Sequence, residues 1–335
     1  MKNRIAVLCV LMALCLLSSC GIASSRGRIL VNVSYDPTRE FYEAYNELFR
    51  AHWLETTGEP VDIGQSHGGS GSQARSVLEG ADADVVTLAL AHDISLLEED
   101  GMIRPGWERE LPLDSAPYTS AIVFLVRSGN PKDIRDWDDL IRPDMDVITP
   151  DPKSSGGACW NFLAAWRYAE RSFGPEDMDG IKAFMAALYG NVLVMDSGAR
   201  GATTTFVENG QGDVLVAWEN EALMALYSYP GEFELVTPSV SILAQPSVAV
   251  VDENAERDGV SDLAEAYLAF LYEPEAQRLA GQYGYRPTDP RILEEFSDVF
   301  DLDVELCTVS DFGGWDAAYQ VFFRDGGVFD EIYTG

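Results

Sequence analysis

The sequence predicts an α/β fold with mostly parallel sheets, divided into two lobes. Strand-like and helix-like segments alternate along the whole chain behind an apolar leader. Several of the helix candidates are entered through glycine-bearing turns. No internal repeat, low-complexity tract or long linker separates two halves. A length of 335 residues leaves room for about two domains. Two lobes without a linker imply a chain that crosses between them more than once.

The elements follow in order. Ile29–Ser34 is a short apolar, β-branched run that reads as a strand. Thr38–Thr56 is an amphipathic helix, with Phe41, Tyr45, Leu48, Phe49 and Trp53 at helical spacing. Val61–Gly64 is a strand, and the glycine turn at 67–72 opens a helix that ends near Gly80. Ala83–Leu90 is a strand and His92–Asp100 a helix. Ala121–Val126 is strongly β-like, Pro131–Ile141 holds a turn and short helix, and Val147–Thr149 is a strand. Ala158–Arg171 and Asp177–Tyr189 are helices, Val192–Met195 a strand, Thr203–Asn209 a short helix. Val214–Trp218, Phe233–Val236 and Ser247–Val251 are strands. Helices are expected near Ala222–Ser228, over Val260–Leu271 and Pro274–Tyr283, and near Trp315–Phe323 in an acidic tail.

Composition bounds the function. Hydrophobic residues make up 47% and aromatics 11%, enough for full-sized cores. Twenty-three Lys+Arg face 55 Asp+Glu, a formal net charge of -32, which excludes a basic nucleic-acid-binding face. The only lysines are Lys2, Lys132, Lys153 and Lys182. Such a surface suits high salt, or reflects the composition of its lineage.

The N-terminus reads as an export signal: Lys2 and Arg4, then an apolar core over Ile5–Leu17, too short to span a bilayer. Leu17-Ser18-Ser19-Cys20 is similar to the bacterial lipobox, which makes Cys20 the lipidation candidate. The expected division is 1–19 signal peptide, 20–28 tether, 29–121 plus 239–335 first lobe and 122–238 second lobe. The mature protein is expected to be a monomer, periplasmic or at the cell surface and held to the membrane by its lipid. Cys159 and Cys307 remain in it, as two separate buried thiols or as a disulfide, and neither has neighbours at metal-ligand spacing. No metal or cofactor is expected.

Four helix starts carry the chemistry. They are Ser34-Tyr35-Asp36-Pro37-Thr38, where Asp36 fits an N-cap and Pro37 the first helical position, and His67-Gly68-Gly69-Ser70-Gly71-Ser72. The other two are Ser154-Ser155-Gly156-Gly157-Ala158 and Ser197-Gly198-Ala199-Arg200-Gly201. Each offers unpaired backbone N–H groups and the positive end of a helix, and glycine admits a close approach. At the carboxyl ends of strands such turns make an anion site. None has P-loop spacing. An exported hydrolase is the rival class. The nucleophile elbow fails at Ser70, which is followed two positions on by Ser72, and His52, His67 and His92 supply no workable triad or metal pair.

Longer segments narrow the reading. Asn32–Glu40, Gln65–Gly71, Ala116–Ser120, Ser154–Ala158, Asp196–Gly201, Ala217–Glu221 and Phe312–Trp315 closely resemble bacterial periplasmic sulfate-binding proteins. Those are the solute receptors of sulfate/thiosulfate ABC transporters, and the resemblance runs from about Ile29 to Tyr333. It implies a type II periplasmic binding-protein fold whose two lobes close over an anion, and permease subunits as partners. It also implies a ligand held by neutral donors: the backbone N–H groups of Asp36, Ser70, Gly156, Gly157 and Ala199, the Ser155 hydroxyl and the Trp218 indole N–H. Arg200 is the evident charge partner from composition, yet the family pattern uses the preceding N–H instead. A site without acceptors takes sulfate and rejects phosphate, which keeps a proton near neutrality. The Asp36 side chain is therefore expected to point away and cap its helix. Thiosulfate and molybdate are the alternative ligands. Cys159 stands where the family usually has arginine, and Cys307 replaces an apolar residue.

Overall fold

The computed structural model describes residues 27–333. The expected signal segment and Cys20 lie outside the described residues. In the first lobe, β1 (Arg28–Tyr35), β2 (Val61–Gly68) and β3 (Val85–Leu88) run parallel, and β11 (Ser247–Val250) closes the edge antiparallel to β3. In the second, the order is β7 (Val192–Asp196), β6 (Val147–Pro150), β8 (Val214–Trp218), β5 (Ile122–Arg127) and β9 (Phe233–Val236). There β6 is parallel to β7 and β8, while β5 is antiparallel to β8 and β9. The first sheet is thus mostly parallel, as expected, with one antiparallel edge strand, while the second is evenly mixed. The reason lies in the crossings: β5 and β11 are the first strands after the chain enters a lobe from the other one, so they run in the opposite sense.

The two crossing segments lie side by side. Ser120 and Ala244 form an antiparallel bridge with N–H···O bonds of 2.9 Å in both directions. On the first-lobe side β4 (Tyr118–Thr119) pairs with β12 (Arg286–Pro287), and on the other side β10 (Val240–Ile242) pairs with β13 (Glu305–Cys307). The Arg286 guanidinium holds the Glu219 carboxylate in two bonds of 2.6 and 2.9 Å, both side chains almost fully buried beside this junction.

Helices cover the sheets because their apolar faces have nowhere else to go. In α1 (Arg39–Thr57), Phe41, Tyr42, Tyr45, Phe49 and Trp53 are buried against Tyr267 and Phe270 of α8 (Ser261–Phe270). Each such side chain contributes roughly 1.5–3 kcal/mol of burial free energy. Around the cleft stand α2 (Ser70–Leu78), α3 (Ala91–Glu99), α4 (Gly156–Phe173), α6 (Ala199–Val207) and α7 (Glu219–Ser228), with α5 (Met178–Gly190) packed behind α4. The helix expected at Thr203 begins at Ala199, directly after Gly198. Among the described residues no helix is long and apolar enough to cross a membrane.

The tail departs from the expected lobe division. The sequence places residues 239–335 in the first lobe, but the aromatic side chains after Thr308 pack mainly on the second, with Tyr319 also stacked on His92 of the first. Trp315 meets Trp160 edge-on at 4.5 Å, Phe322 meets Trp166 at 4.8 Å and Phe329 meets Tyr189 at 5.2 Å. The apolar face of α4 is wide, and these rings cover it. Lys153 pins the tail by donating to the Phe323 and Arg324 carbonyls, both at 3.0 Å, and to Asp330 at 2.8 Å. Cys159 and Cys307 are both buried free thiols.

Candidate binding site

The carboxyl ends of β1, β2, β3, β6, β7 and β8 face one another across the cleft. Between them lies a small cavity, narrow in this conformation. Five of the expected residues line it: Asp36, Ser70, Ser155, Gly157 and Ala199. Tyr35, Pro37, Gly68, Gly69 and Ala89 complete the wall. Among the described residues no Lys, Arg or His side chain lines it.

The lining is rich in backbone donors because three helices start there without side-chain caps. None of the residues preceding α2, α4 and α6 (Gly69, Ser155 and Gly198) makes a side-chain cap hydrogen bond. The first N–H groups of a helix have no partner inside it. At α4 the Ser155 N–H is taken by Asp151 O at 2.8 Å and the Ala158 N–H by Ser155 O at 3.0 Å. The N–H groups of Gly156 and Gly157 remain between them. At α2 and α6 the first closed bonds are Gln73 N–H to Gly69 O and Ala202 N–H to Gly198 O, leaving Ser70 and Ala199 ahead of them. Buried orphan donors of this kind are rare unless something accepts from them.

Glycine is required at α4 by proximity. A Cβ on Gly156 would stand 2.9 Å from Leu90 Cγ and 3.0 Å from Ser70 Cβ, both in the other lobe. A Cβ on Gly157 would stand 3.2 Å from Trp218 Nε1. Gly156 itself is not among the lining residues. It sits at the lobe contact beside the cavity, where Trp160 Nε1 also donates to Ala89 O at 2.9 Å.

Two expectations about side chains need correction. Asp36 is not the N-cap: β1 runs through Tyr35, which caps the 3-10 turn Asp36–Thr38, so Asp36 is its first residue. Its carboxylate reaches Arg39 at 3.4 Å and lies 3.5 Å from the position of a Cβ on Gly198. The Trp218 indole N–H donates to Gly157 O at 3.1 Å, so it holds the α4 turn in place instead of standing free. The Ser70 hydroxyl is also engaged, accepting from Ala89 N–H and donating to Asp93. Arg200 does not line the cavity. It spans the cleft to Glu40 in bonds of 3.0 and 2.7 Å and pairs with buried Glu221 at 3.1 Å. Burial pushes the Glu40 carboxyl up, and the bonds and charge of Arg200 outweigh it, so the group ends below the ordinary range. Burial holds the nearby His67 below its ordinary value, which leaves that imidazole neutral near pH 7.

Sequence reasoning missed Asp93 and the Arg200–Glu40 pair. Glu40 lies within Asn32–Glu40, but nothing local marks it as a partner of a residue 160 positions away. A wider groove on the same lobe seam carries Glu108, Asp114 and Asp316 and suits no anion.

A sequence profile described as "Bacterial extracellular solute-binding protein" matches residues 30–286. The chain belongs to this family. This solute-binding protein is 56% identical over 305 residues to the sulfate-binding protein of Escherichia coli (strain K12), covering 90% of this chain and 92% of that one. It is 45% identical over 316 residues to the thiosulfate-binding protein of Pseudomonas aeruginosa, covering 94% and 95%. Among solved structures, the sulfate-binding protein SubI from Mycobacterium tuberculosis H37Rv is similar at 34% identity and a TM-score of 0.80, covering 88% of this chain and 99% of that chain. The periplasmic binding protein AfuA from Actinobacillus pleuropneumoniae shares the fold, with a TM-score of 0.65 at 17% identity. The two-lobe architecture with a cleft between the lobes is therefore that of the solute-binding proteins.

Proposed function

We propose that this solute-binding protein captures sulfate in the cavity between its lobes and delivers it to an ABC transporter. The observation that carries the reading is the meeting of uncapped helix starts around one cavity without a lining cation. The donors are the backbone N–H groups of Asp36, Ser70, Gly156, Gly157 and Ala199 and the Ser155 hydroxyl, with Trp218 orienting Gly157. Each hydrogen bond to a charged group contributes about 1.5–3 kcal/mol net. The donors are neutral, so the dianion is stabilised by aligned dipoles already in place. Likeness to sulfate-binding proteins at 56% and 34% identity supports the ligand.

A lipid on Cys20 would hold the receptor, as a monomer, at the outer face of a membrane near its permease. A second ligand, thiosulfate, is favoured by the 45% identity to a thiosulfate-binding protein. The test is calorimetric titration of the delipidated protein with sulfate at low and high salt, with phosphate, thiosulfate and molybdate as competitors. Tight one-to-one sulfate binding that phosphate does not disturb is expected. Binding of another oxyanion in its place would overturn the ligand, and no anion binding in either salt would overturn the site.

A further inference from the structure

One buried indole reaches across the cleft. Trp160 is the fifth residue of α4 and is fully buried. It stands one turn after Gly156, on the same face of the helix. Gly156 has no side chain, so this face comes up against Leu90 and Ala89 of the first lobe. Side chains on a helix lean toward its N-terminal end, which here is the cleft end. The Trp160 ring thus leans toward the first lobe, and its Nε1–H donates to the Ala89 carbonyl at 2.9 Å.

Ala89 is held from both sides. Its carbonyl accepts from Trp160, and its N–H donates to the Ser70 hydroxyl at 3.0 Å. Ala89 and Ser70 both line the cavity. An indole of the second lobe therefore bears on the part of the first lobe that presents the start of α2. The ring itself is fixed by Trp315 of the tail, which it meets edge-on at 4.5 Å. It also borders the wider seam groove, whose walls include Ala91 and His92 of the first lobe and Asp316 of the tail.

Neighbouring buried indoles are bonded differently. Trp166, in the same helix, donates to Glu170 at 3.0 Å, and Trp218 donates to Gly157. Both bonds lie inside the second lobe and survive any movement between the lobes. The Trp160 bond does not. Among the described residues its Nε1–H bonds to Ala89 O alone, so parting the lobes leaves that N–H to water.

We propose that Trp160 is a positioning residue, a latch that forms only on closure and holds the Ala89–Ser70 wall of the cavity around the anion. The proposal rests on the anion reading given above. A contact present only in the closed form does not speed encounter with the open one. It slows reopening, and so acts on release more than on capture. The bond joins two neutral groups away from solvent, so salt screens it little. The Arg200–Glu40 pair also spans the cleft, but it is half-exposed and carries full charges. Ionic strength therefore separates the two contacts.

The experiment is stopped-flow fluorescence of sulfate association and dissociation with wild type, Trp160→Phe and Trp166→Phe, at about 0.1 M and 1 M KCl. Trp160→Phe keeps an aromatic ring and deletes the donor. Its dissociation rate should rise by about two- to tenfold, the worth of one neutral hydrogen bond. Its association rate should stay within about twofold of wild type, and the rise should be the same in both salts. Trp166→Phe deletes a donor from the same helix and is expected to lower stability in urea, yet to keep the wild-type dissociation rate. Equal dissociation rates in Trp160→Phe and wild type, or an equal rise in both variants, would overturn the latch and leave the anion reading intact. A rise that vanishes at high salt would assign closure to the ion pair instead and overturn the latch as well. A wild type that binds no sulfate overturns the anion reading and the latch with it. Should Trp160→Phe not fold, isotope-labelled wild type decides through the NMR signals of its indole N–H groups. One of them should pass from exchange with solvent to protection when sulfate is added, and the proposal fails if none does.

Discussion

Trp218 serves the cavity at one remove. Its ring is buried beside Tyr35, with centroids 5.5 Å apart, and its N–H is bonded to the Gly157 carbonyl. Trp218→Phe keeps most of the bulk and deletes the donor. Sulfate affinity should fall by about 1–3 kcal/mol, read by calorimetry, and an unchanged affinity would mean that the ring only packs. Arg200 offers the contrasting case. Its charge is spent on Glu40 and Glu221, and the half-exposed bond to Glu40 contributes about 0–1 kcal/mol. Arg200→Met should therefore weaken sulfate binding less than Gly156→Pro, which removes a donor and crowds Leu90 and Ser70 across the cleft. The reverse order in a side-by-side titration would show that a full positive charge holds the ligand.

At the scale of elements, the start of α4 is both a donor array and a contact surface. The three atoms nearest a Cβ on Gly156 belong to Leu90, Ser70 and Ala89, all across the cleft. Gly156→Ala should thus hinder closure while sparing the second lobe's own core. We expect at least a tenfold weaker Kd, since overpacking costs about 1–3 kcal/mol, with no sulfate-induced compaction by small-angle scattering and a normal far-UV spectrum. The loop before α4 is in turn tied to the tail by Lys153, so the turn that presents Ser155 is supported from residues near position 330.

Across the whole molecule, two forces act on the lobes together. The Arg286–Glu219 pair is buried at the junction between them. Removing one partner strands the other, so Arg286→Met should destabilise the fold by about 3–5 kcal/mol, measured by urea denaturation. A loss under about 1 kcal/mol would mean that Glu219 is readily neutralised. The net charge of -32 acts over longer range. Salt shortens the screening length from about 10 Å at 0.1 M to about 3 Å at 1 M, so the melting temperature should rise with KCl over that range. A flat or falling melting temperature would show that the ion pairs offset the repulsion locally.

Local order was legible because it has local causes. The aromatic spacing of α1, the apolar runs of β1 and β8 and the uncapped glycine turns each depend on neighbours within a turn or two. The turn at 197–201 was legible as a helix start, but the helical state of residues 199–202 was not, since Gly201 lowers helix propensity there. The sequence by itself determined the alternating architecture and the supply of backbone donors, because helix starts expose N–H groups wherever they occur. Only the tertiary structure decided that those starts share one cavity, that Arg200 spans to Glu40, that the tail covers the second lobe and that Asp93 is buried without a cation. These outcomes rest on pairs far apart in the chain, such as Arg200 with Glu40 and Trp160 with Ala89, and chain folding alone brings such groups within a few ångströms.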